Sequence, residues 1–422
     1  MWSWRYCLPA GALAALFSIS SARAAESAGC KTISRANLVG CVMNVSLEAQ
    51  ATRAGVQAAE GRILAARPWF PSAPLLSLAG ARRSTGGETD VNWSASLGVE
   101  LEVAGQRGAR RDAATSERDA QLKTGEAGAR ATALSAWQAY FDVLGSTETA
   151  RVTAQLESGA RRVADAARAG AERGAFSGAE ADLADAAYVR LVQRRMAAER
   201  EVELARVELT AMLGLPSTRE LVVQGALTPL RGADSAPVAS GELPSVAALE
   251  AESRSFAARA QAERRGRAPN PTLSAFAQRD GFNEQVLGVG LSLPLPLPEP
   301  LGRMHAGEIA ENEALSRRAH FLAENARRTG RARILRALAR YESAKRATEI
   351  YTTERLRRSE ATLANLSAAV EAGRMSVRDA LILQDPLLEQ LLGDIEARRA
   401  LCLASAELLL AMNVHLEDGA AR

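Results

Sequence analysis

LGVGLSLPLPLPEPLGRMHAGEIAENEA, residues 287–314, decides how this chain is read. Its first half alternates strictly. Leu287, Val289, Leu291, Leu293, Leu295 and Leu297 fall on one face, and Gly288, Gly290, Ser292, Pro294 and Pro296 on the other. A period of two is the period of a strand. The prolines at 294, 296, 298 and 300 donate nothing to a ladder and hold the backbone extended, so the strand leaves its sheet there. From Gly302 onward Ala, Glu and Arg take over, which favours a long helix. A sheet hands over to a helix.

The same handover occurs in WSASLGVELEVAGQRGARRDAA, residues 93–114. Trp93, Ala95, Leu97, Val99, Leu101 and Val103 alternate with Ser94, Ser96, Gly98, Glu100 and Glu102 before Gly105 opens an Ala/Arg/Glu-rich helix. The chain is therefore built twice, as residues 25–216 and 244–415 joined by a connector, 217–243, with a tail at 416–422. In the first half the pattern predicts a helix over 34–67, strands over 75–83 and 91–103 around GGETD, and a helix from 105 to about 171. Some 65 residues at 1.5 Å each extend nearly 100 Å. Leu134, Trp137, Phe141 and Leu144 give this helix a coiled-coil seam. In the second half a helix over 244–267 leads to strands over 272–279 and 285–297. A single long helix follows from about 303 to 370, with Leu356, Leu363, Leu366 and Val370 in heptad register.

Each long helix ends in a hairpin tip. In ERGAFSGAEADL Gly174 suits a left-handed C-terminal cap, and Ser177 with Glu180 three residues on forms a capping box for the return helix. Val202, Ala205, Leu209 and Met212 continue the return in heptad register. EAGRMSVRDALILQD supplies Gly373, Arg374, Ser376 and Asp379 in the same arrangement. Gly373 and Ser376 lie 199 residues beyond Gly174 and Ser177, and the same shift carries Leu213-Gly214 onto Met412-Asn413. One spacing across a whole hairpin is the signature of an internal repeat.

Composition agrees with long helices: aromatics are only 4% of the 422 residues, and the formal charge is +3. The cations are nearly all Arg, with Lys only at 31, 123 and 345, and no basic field for nucleic acid is visible. Residues 1–24 read as a secretory leader, with Arg5, an apolar run over 8–19 and the small-x-small site Ala22-Arg23-Ala24. That run is too short to span a bilayer as a helix. Three cysteines remain after its removal. Cys30 in SAGC lacks the aliphatic residue of a lipobox. Cys30 and Cys41 either close a small loop or stay as two thiols near the terminus. Cys402 falls in the series Leu381, Leu388, Ile395, Cys402, Leu409, spaced by seven, and reads as core.

Strands of about ten residues are the length that crosses a bilayer when tilted, and four cannot close alone. Exposed edges are excluded in lipid, so oligomerisation follows. With these features the sequence resembles the TolC-type outer membrane efflux factors, and within them the CzcC-like branch of heavy-metal export systems. The resemblance rests on the Ala-rich first helix, the exits VAGQRG (103–108) and LPLPLPEPLGRM (293–304), both tips and MLGLP (212–216). It implies a mixed, mostly α fold. Long coiled-coil helices would build an α-barrel, and four transmembrane strands per subunit would complete a twelve-stranded barrel in a homotrimer. It also implies a passive duct in the outer membrane with a long periplasmic extension, partnered by a periplasmic adaptor and an inner membrane pump of the resistance-nodulation-division class. Two departures stand out. Glu299-Pro300-Leu301-Gly302-Arg303 replaces the aromatic and Arg-Asn of the metal branch, and Asn44-Val45 replaces an early Asn-Pro. By the resemblance, the tips Gly174, Ser177, Glu180, Gly373, Arg374 and Ser376 dock the adaptor, and Asp379, with Glu180 as its counterpart, forms the periplasmic gate. The residue-level reading beside it is helix capping. The expected cargo is metal cations, with drugs, small solutes or a type I secretion substrate as alternatives.

Enzymatic readings find no support. His305, His320 and His415 are scattered and read as surface or packing residues on helices. No metal-ligand spacing, P-loop, GxSxG or dinucleotide fingerprint stands in a suitable context. Glu308, Glu311 and Glu313 read as a solvated helix face. No cofactor is expected. A periplasmic adaptor has one hairpin rather than two at a fixed shift, and a structural coiled-coil protein leaves the four strands unexplained.

Overall fold

The computed structural model describes residues 30–85, 88–215, 221–230, 233, 243–280, 284–295, 297 and 304–414. Residues 1–29, which hold the expected leader, the exit residues 299–303, His415, residues 416–422, most of 217–243 and the middle of both strand turns lie outside them. The chain folds as two compact units, each drawing on both halves of the sequence. One takes Met1–Ala51, Gly128–Gly241 and Thr329–Arg422, and the other Thr52–Ala127 and Glu242–Arg328.

The first unit is helical. Strand β1 (Thr32–Ile33) leads into α1 (Leu38–Val45) and α2 (Leu47–Ala65). The single helix expected over 34–67 is thus two. Ser46 is extended (φ −61°, ψ 140°), and its hydroxyl accepts from the backbone N–H of Ala49 at 3.2 Å, so it closes one helix and opens the next. Cys30, just before β1, and Cys41 within α1 form a disulfide, with Cα atoms 5.9 Å apart. Cys30 therefore has no free sulfur to carry a lipid.

Helix α3 (Gln106–Glu172) is unbroken, and its residues from Gly128 onward belong to this unit together with the return helix α4 (Gly178–Met212). Trp137, Tyr140 and Phe141 are fully buried, with ring centroids 5.5–5.6 Å apart, and pack with Leu209, Leu213, Leu388, Cys402 and Leu409. The expected seam is present. Tyr140, which falls outside it, is buried because its hydroxyl donates to the Gln224 carbonyl at 2.8 Å. That partner lies in the segment expected to be irregular. There β4 (Val222–Val223) pairs parallel with β1, and Leu221, Leu227 and Leu230 are buried, so the connector contributes to the core.

The sheet unit holds β2 (Leu75–Thr85), β3 (Glu88–Glu100), β5 (Thr272–Arg279) and β6 (Gln285–Ser292) in the order β2-β3-β5-β6, all antiparallel. Helix α5 (Pro244–Gly266) precedes β5, at the expected place. Strand β6 stops at Ser292 rather than Leu297, because Pro294 ends its ladder. Strand β3 runs from Glu88 to Glu100 rather than from 91 to 103. Beyond it, Glu102 turns away to pair with Arg110.

The register puts Leu76, Leu78, Trp93, Leu97, Val99, Leu273, Leu287, Val289 and Leu291 on one face. Ser77, Asn92, Ser94, Ser96, Thr272, Ser274 and Gln278 occupy the other. The apolar face is bare, with Leu78 72%, Leu287 83% and Val289 81% exposed, values far from those of a core. On the opposite face glycine makes room. A Cβ on Gly288 would come within 2.5 Å of the Phe276 ring, and one on Gly290 within 2.7 Å of Ser274 Oγ.

The two strand-to-helix handovers are built alike. Gly105 has φ +78° and its carbonyl accepts from Ala109, while His305 has φ 52° and its carbonyl accepts from Ile309. His305 therefore precedes its helix rather than lying on it, and its Nδ1 is 2.9 Å from Glu263 Oε2. Around the first handover Gln106 Nε2 donates to the Ala268 carbonyl and to Asn270 Oδ1, and Asn270 Nδ2 donates to Glu100 Oε1. This polar chain fastens helix to strand. Helix α6 (Ala306–Ile350) then runs on, and α7 (Thr353–Glu371) and α8 (Val377–Ala411) complete the helical unit. One helix was expected from about 303 to 370. It breaks at Tyr351, where Thr352 becomes extended and its side chain caps Arg355.

Candidate functional site: the paired helix tips

The two tips follow one plan. Gly174 (φ +72°) ends α3, with its N–H donating to the Ala171 carbonyl and that of Ala175 to Gly170. Gly373 (φ +65°) ends α7, with N–H groups of Gly373 and Arg374 donating to Val370 and Ala369. Such a left-handed C-terminal cap favours glycine because at positive φ a Cβ strains against the residue's own backbone. Ser177 then accepts from the Glu180 N–H, and the Glu180 carboxylate accepts from the Ser177 N–H at 2.8 Å, which completes the capping box. The hydrogen bond from the Ser177 N–H foremost, and a second from the Ser177 hydroxyl at 2.9 Å, hold the Glu180 carboxyl below its ordinary pKa. Ser376 accepts from the Asp379 N–H at 3.1 Å and donates to Asp379 Oδ2 at 2.8 Å.

The fold brings the two tips together. Val163, Ala164 and Ala167 of α3, Ala184 of α4, Leu366 and Val370 of α7, and Val377 and Ala380 of α8 form one buried cluster, on which Phe176 and Met375 pack. Phe176 lies across Gly170, where a Cβ would come within 2.1 Å of its ring. Met375 is its counterpart 199 residues on, and the sequence reading missed both. The signal was the repeat itself, which pairs an apolar residue with each cap serine. Asp379, Arg374 and Gly174 are exposed at this end.

Along the return helices Arg190 meets Asp385 at 2.6 Å and Arg194 meets Glu389 at 3.1 Å, joining α4 to α8. A cavity of about 450 Å³ opens between α3, α7 and α8, floored by Val152, Leu156, Leu363 and Leu366. Among the described residues, no group of three or more His, Cys, Asp or Glu comes together to hold a metal, and no helix is long and apolar enough to cross a membrane. The tips carry helix caps, charged side chains and a shared apolar floor.

Residues 44–215, nearly the whole first repeat, match the family model described as outer membrane efflux protein. That family is one of channels, not of enzymes. A membrane protein from Pseudomonas aeruginosa has the same fold, with a TM-score of 0.72 at 18% identity over 89% of this chain and 92% of that one. CusC, a structure concerned with folding and transmembrane channel formation, gives 0.70 at 14% identity over 90% and 92%. The outer membrane protein VceC from Vibrio cholerae gives 0.69 at 16% identity over 91% and 96%. No curated protein matches the chain. Residues 44–215 thus carry the match to the outer membrane efflux model, and the chain as a whole shares the fold of these membrane proteins.

Proposed function

We propose that this protein is the outer membrane channel of a tripartite efflux system: a trimeric, passive duct that receives its cargo from an inner membrane pump through a periplasmic adaptor. The bare apolar face of the four-stranded sheet carries the reading. Side chains such as Leu78, Leu287 and Val289, more than 70% exposed, are costly in water and favourable against lipid. Bulk on this face opposite glycine and serine lets the sheet curl toward its polar side. Its edge strands β2 and β6 require partners within lipid, and three copies of four strands close a barrel of twelve. Extraction in detergent followed by mass measurement tests this: a trimer that fractionates with the outer membrane is expected, and a soluble monomer would overturn it.

The tips Gly174, Ser177, Glu180, Gly373, Arg374 and Ser376 then meet the adaptor. Replacing both Gly174 and Gly373 by Leu is expected to abolish export while trimers persist. Loss of the trimers as well would reduce the tips to a structural role. Asp379, backed by Glu180, is the gate: three copies around the trimer axis attract cations and narrow the mouth. Asp379→Asn is expected to lower cation selectivity in single-channel recordings. Unchanged current with a weakened helix start would leave only its observed contact with Ser376. An acidic mouth suits metal cations as cargo, in keeping with the CzcC-like branch. The departure from the metal branch's pattern at residues 299–303 keeps drugs and small organic solutes as the alternative cargo. Deleting the gene and comparing sensitivity to divalent metals and to drugs separates the two.

A further inference from the structure

The cavity between α3, α7 and α8 adjoins the tips, because Val163 and Leu366 belong both to its lining and to the tip cluster. Its volume of about 450 Å³ suits a drug-sized molecule. The inner wall is apolar, from Val152, Leu156 and Leu391, with one exception. Gln384 of α8 lines the cavity and is only 6% exposed, yet among the described residues its side-chain amide meets no hydrogen-bond partner. Buried amides are nearly always paired, so this one calls for an occupant that brings a hydrogen-bonding group to it.

The mouth is charged, and unevenly so. On the α3 side stand the exposed Arg151 and Arg162, whereas Glu360 of α7 is the one acid among the lining residues. Arg151 is already engaged, donating to Gln155 Oε1 at 3.1 Å and lying 3.8 Å from Glu148. Arg162 pairs with no carboxylate among the described residues, and its Nε donates only to Ser367 Oγ, at 3.4 Å. A guanidinium without a carboxylate offers a planar fork of donors to an anion. The way past it is open, since a Cβ on Gly159 would come near Arg162 Nη2 alone, at 3.9 Å.

An alkyl chain with an anionic head would fill the apolar wall but leave Gln384 unpaired. A rigid ring system can instead carry polar groups at opposite ends. We propose that this cavity is a binding site for a drug-sized aromatic anion: the apolar wall holds the rings, Arg162 takes the anionic head at the mouth, and Gln384 takes a hydroxyl at the inner end. The site goes beyond the channel reading and does not depend on it.

The test is a calorimetric titration of the purified full-length protein with three probes: a naphthalene sulfonate bearing a hydroxyl at its far end, the same compound without the hydroxyl, and the hydroxylated compound as its neutral sulfonamide. The first is expected to saturate one site per chain. Loss of the hydroxyl is expected to weaken binding about tenfold in the wild type and to make no difference in Gln384→Leu. Exchange of sulfonate for sulfonamide is expected to weaken it about tenfold in the wild type and to make no difference in Arg162→Gln. Gly159→Leu, a change that itself favours the helix, is expected to fill the mouth and abolish binding. No saturable binding in the wild type would overturn the site and leave the cavity to water or to a partner chain. Binding that survives unchanged in Gly159→Leu, with both preferences intact in the other two variants, would put the probe elsewhere and overturn it equally.

Discussion

Single residues at the tips set how firmly each hairpin is closed. Ser177→Ala removes the acceptor for Glu180 and is expected to cost about 1 kcal/mol locally, read as faster hydrogen exchange at the start of α4. The pH dependence follows from Glu180. Its folded pKa is depressed, so its contribution is complete above the unfolded carboxyl value and is lost as pH falls through the folded one. Protection at this tip, with the intrinsic pH dependence of exchange divided out, should therefore fall on acidification in the wild type and much less in Glu180→Gln. An equal fall in both would exclude the capping box as its origin. Cys402 is the opposite case. Burial foremost pushes its thiol up to about 12, so maleimide is expected to label it only after unfolding. Labelling of the native protein would contradict its placement in the core. Its role as core was legible from a spacing of seven. The disulfide between Cys30 and Cys41 was not, because spacing alone does not fix whether two Cα atoms approach.

Among elements, the two descending limbs differ in one respect. They start 200 residues apart, at Gly105 and His305, and end 199 apart, at Gly174 and Gly373. One residue fewer turns a helix by about 100°, which would rotate the whole seam away from its neighbours. The shorter limb is the one that breaks, at Tyr351 and Thr352. Tyr351 lies over Gly393 of α8, where a Cβ would come within 2.4 Å of its hydroxyl. Gly393→Ala favours the helix by about 1 kcal/mol but displaces this ring, so net destabilisation is expected in chemical denaturation. A stabilised protein would show that the ring moves freely. Nearby, Arg398 joins Glu148 of α3 to the buried Asp394 of α8, and Gly145 leaves room for Arg399 to reach Asp142. Arg398→Ala leaves Asp394 buried and unpaired, an expected loss on the order of 2 kcal/mol. Restoration by Asp394→Asn in the same chain would identify the orphaned charge as the cause.

For the molecule as a whole, the sheet makes the sharpest demand on its surroundings. An arginine on the lipid face of a barrel costs about 2–4 kcal/mol at mid-membrane, whereas the opposite face tolerates one. Val289→Arg is therefore expected to cut the yield of outer membrane trimers, and Gln278→Arg, on the other face, to leave it unchanged. Equal yields would mean that the bare face is covered by protein rather than lipid.

Alternation, heptads and one repeat spacing by themselves determined the strands, the long helices and the positions of both tips, since each depends on local periodicity that the backbone must satisfy wherever it lies. The second strand pair was read closely: β5 spans the expected residues, and β6 starts where expected. Tertiary structure decided the rest. The helix break at Tyr351 depends on a glycine in another helix, the connector strand on a partner at the N-terminus, and the disulfide on an approach of two backbones. The apposition of Phe176 and Met375 on one floor likewise needs four helices to converge. Such contacts join residues far apart in the chain, and no local pattern records them.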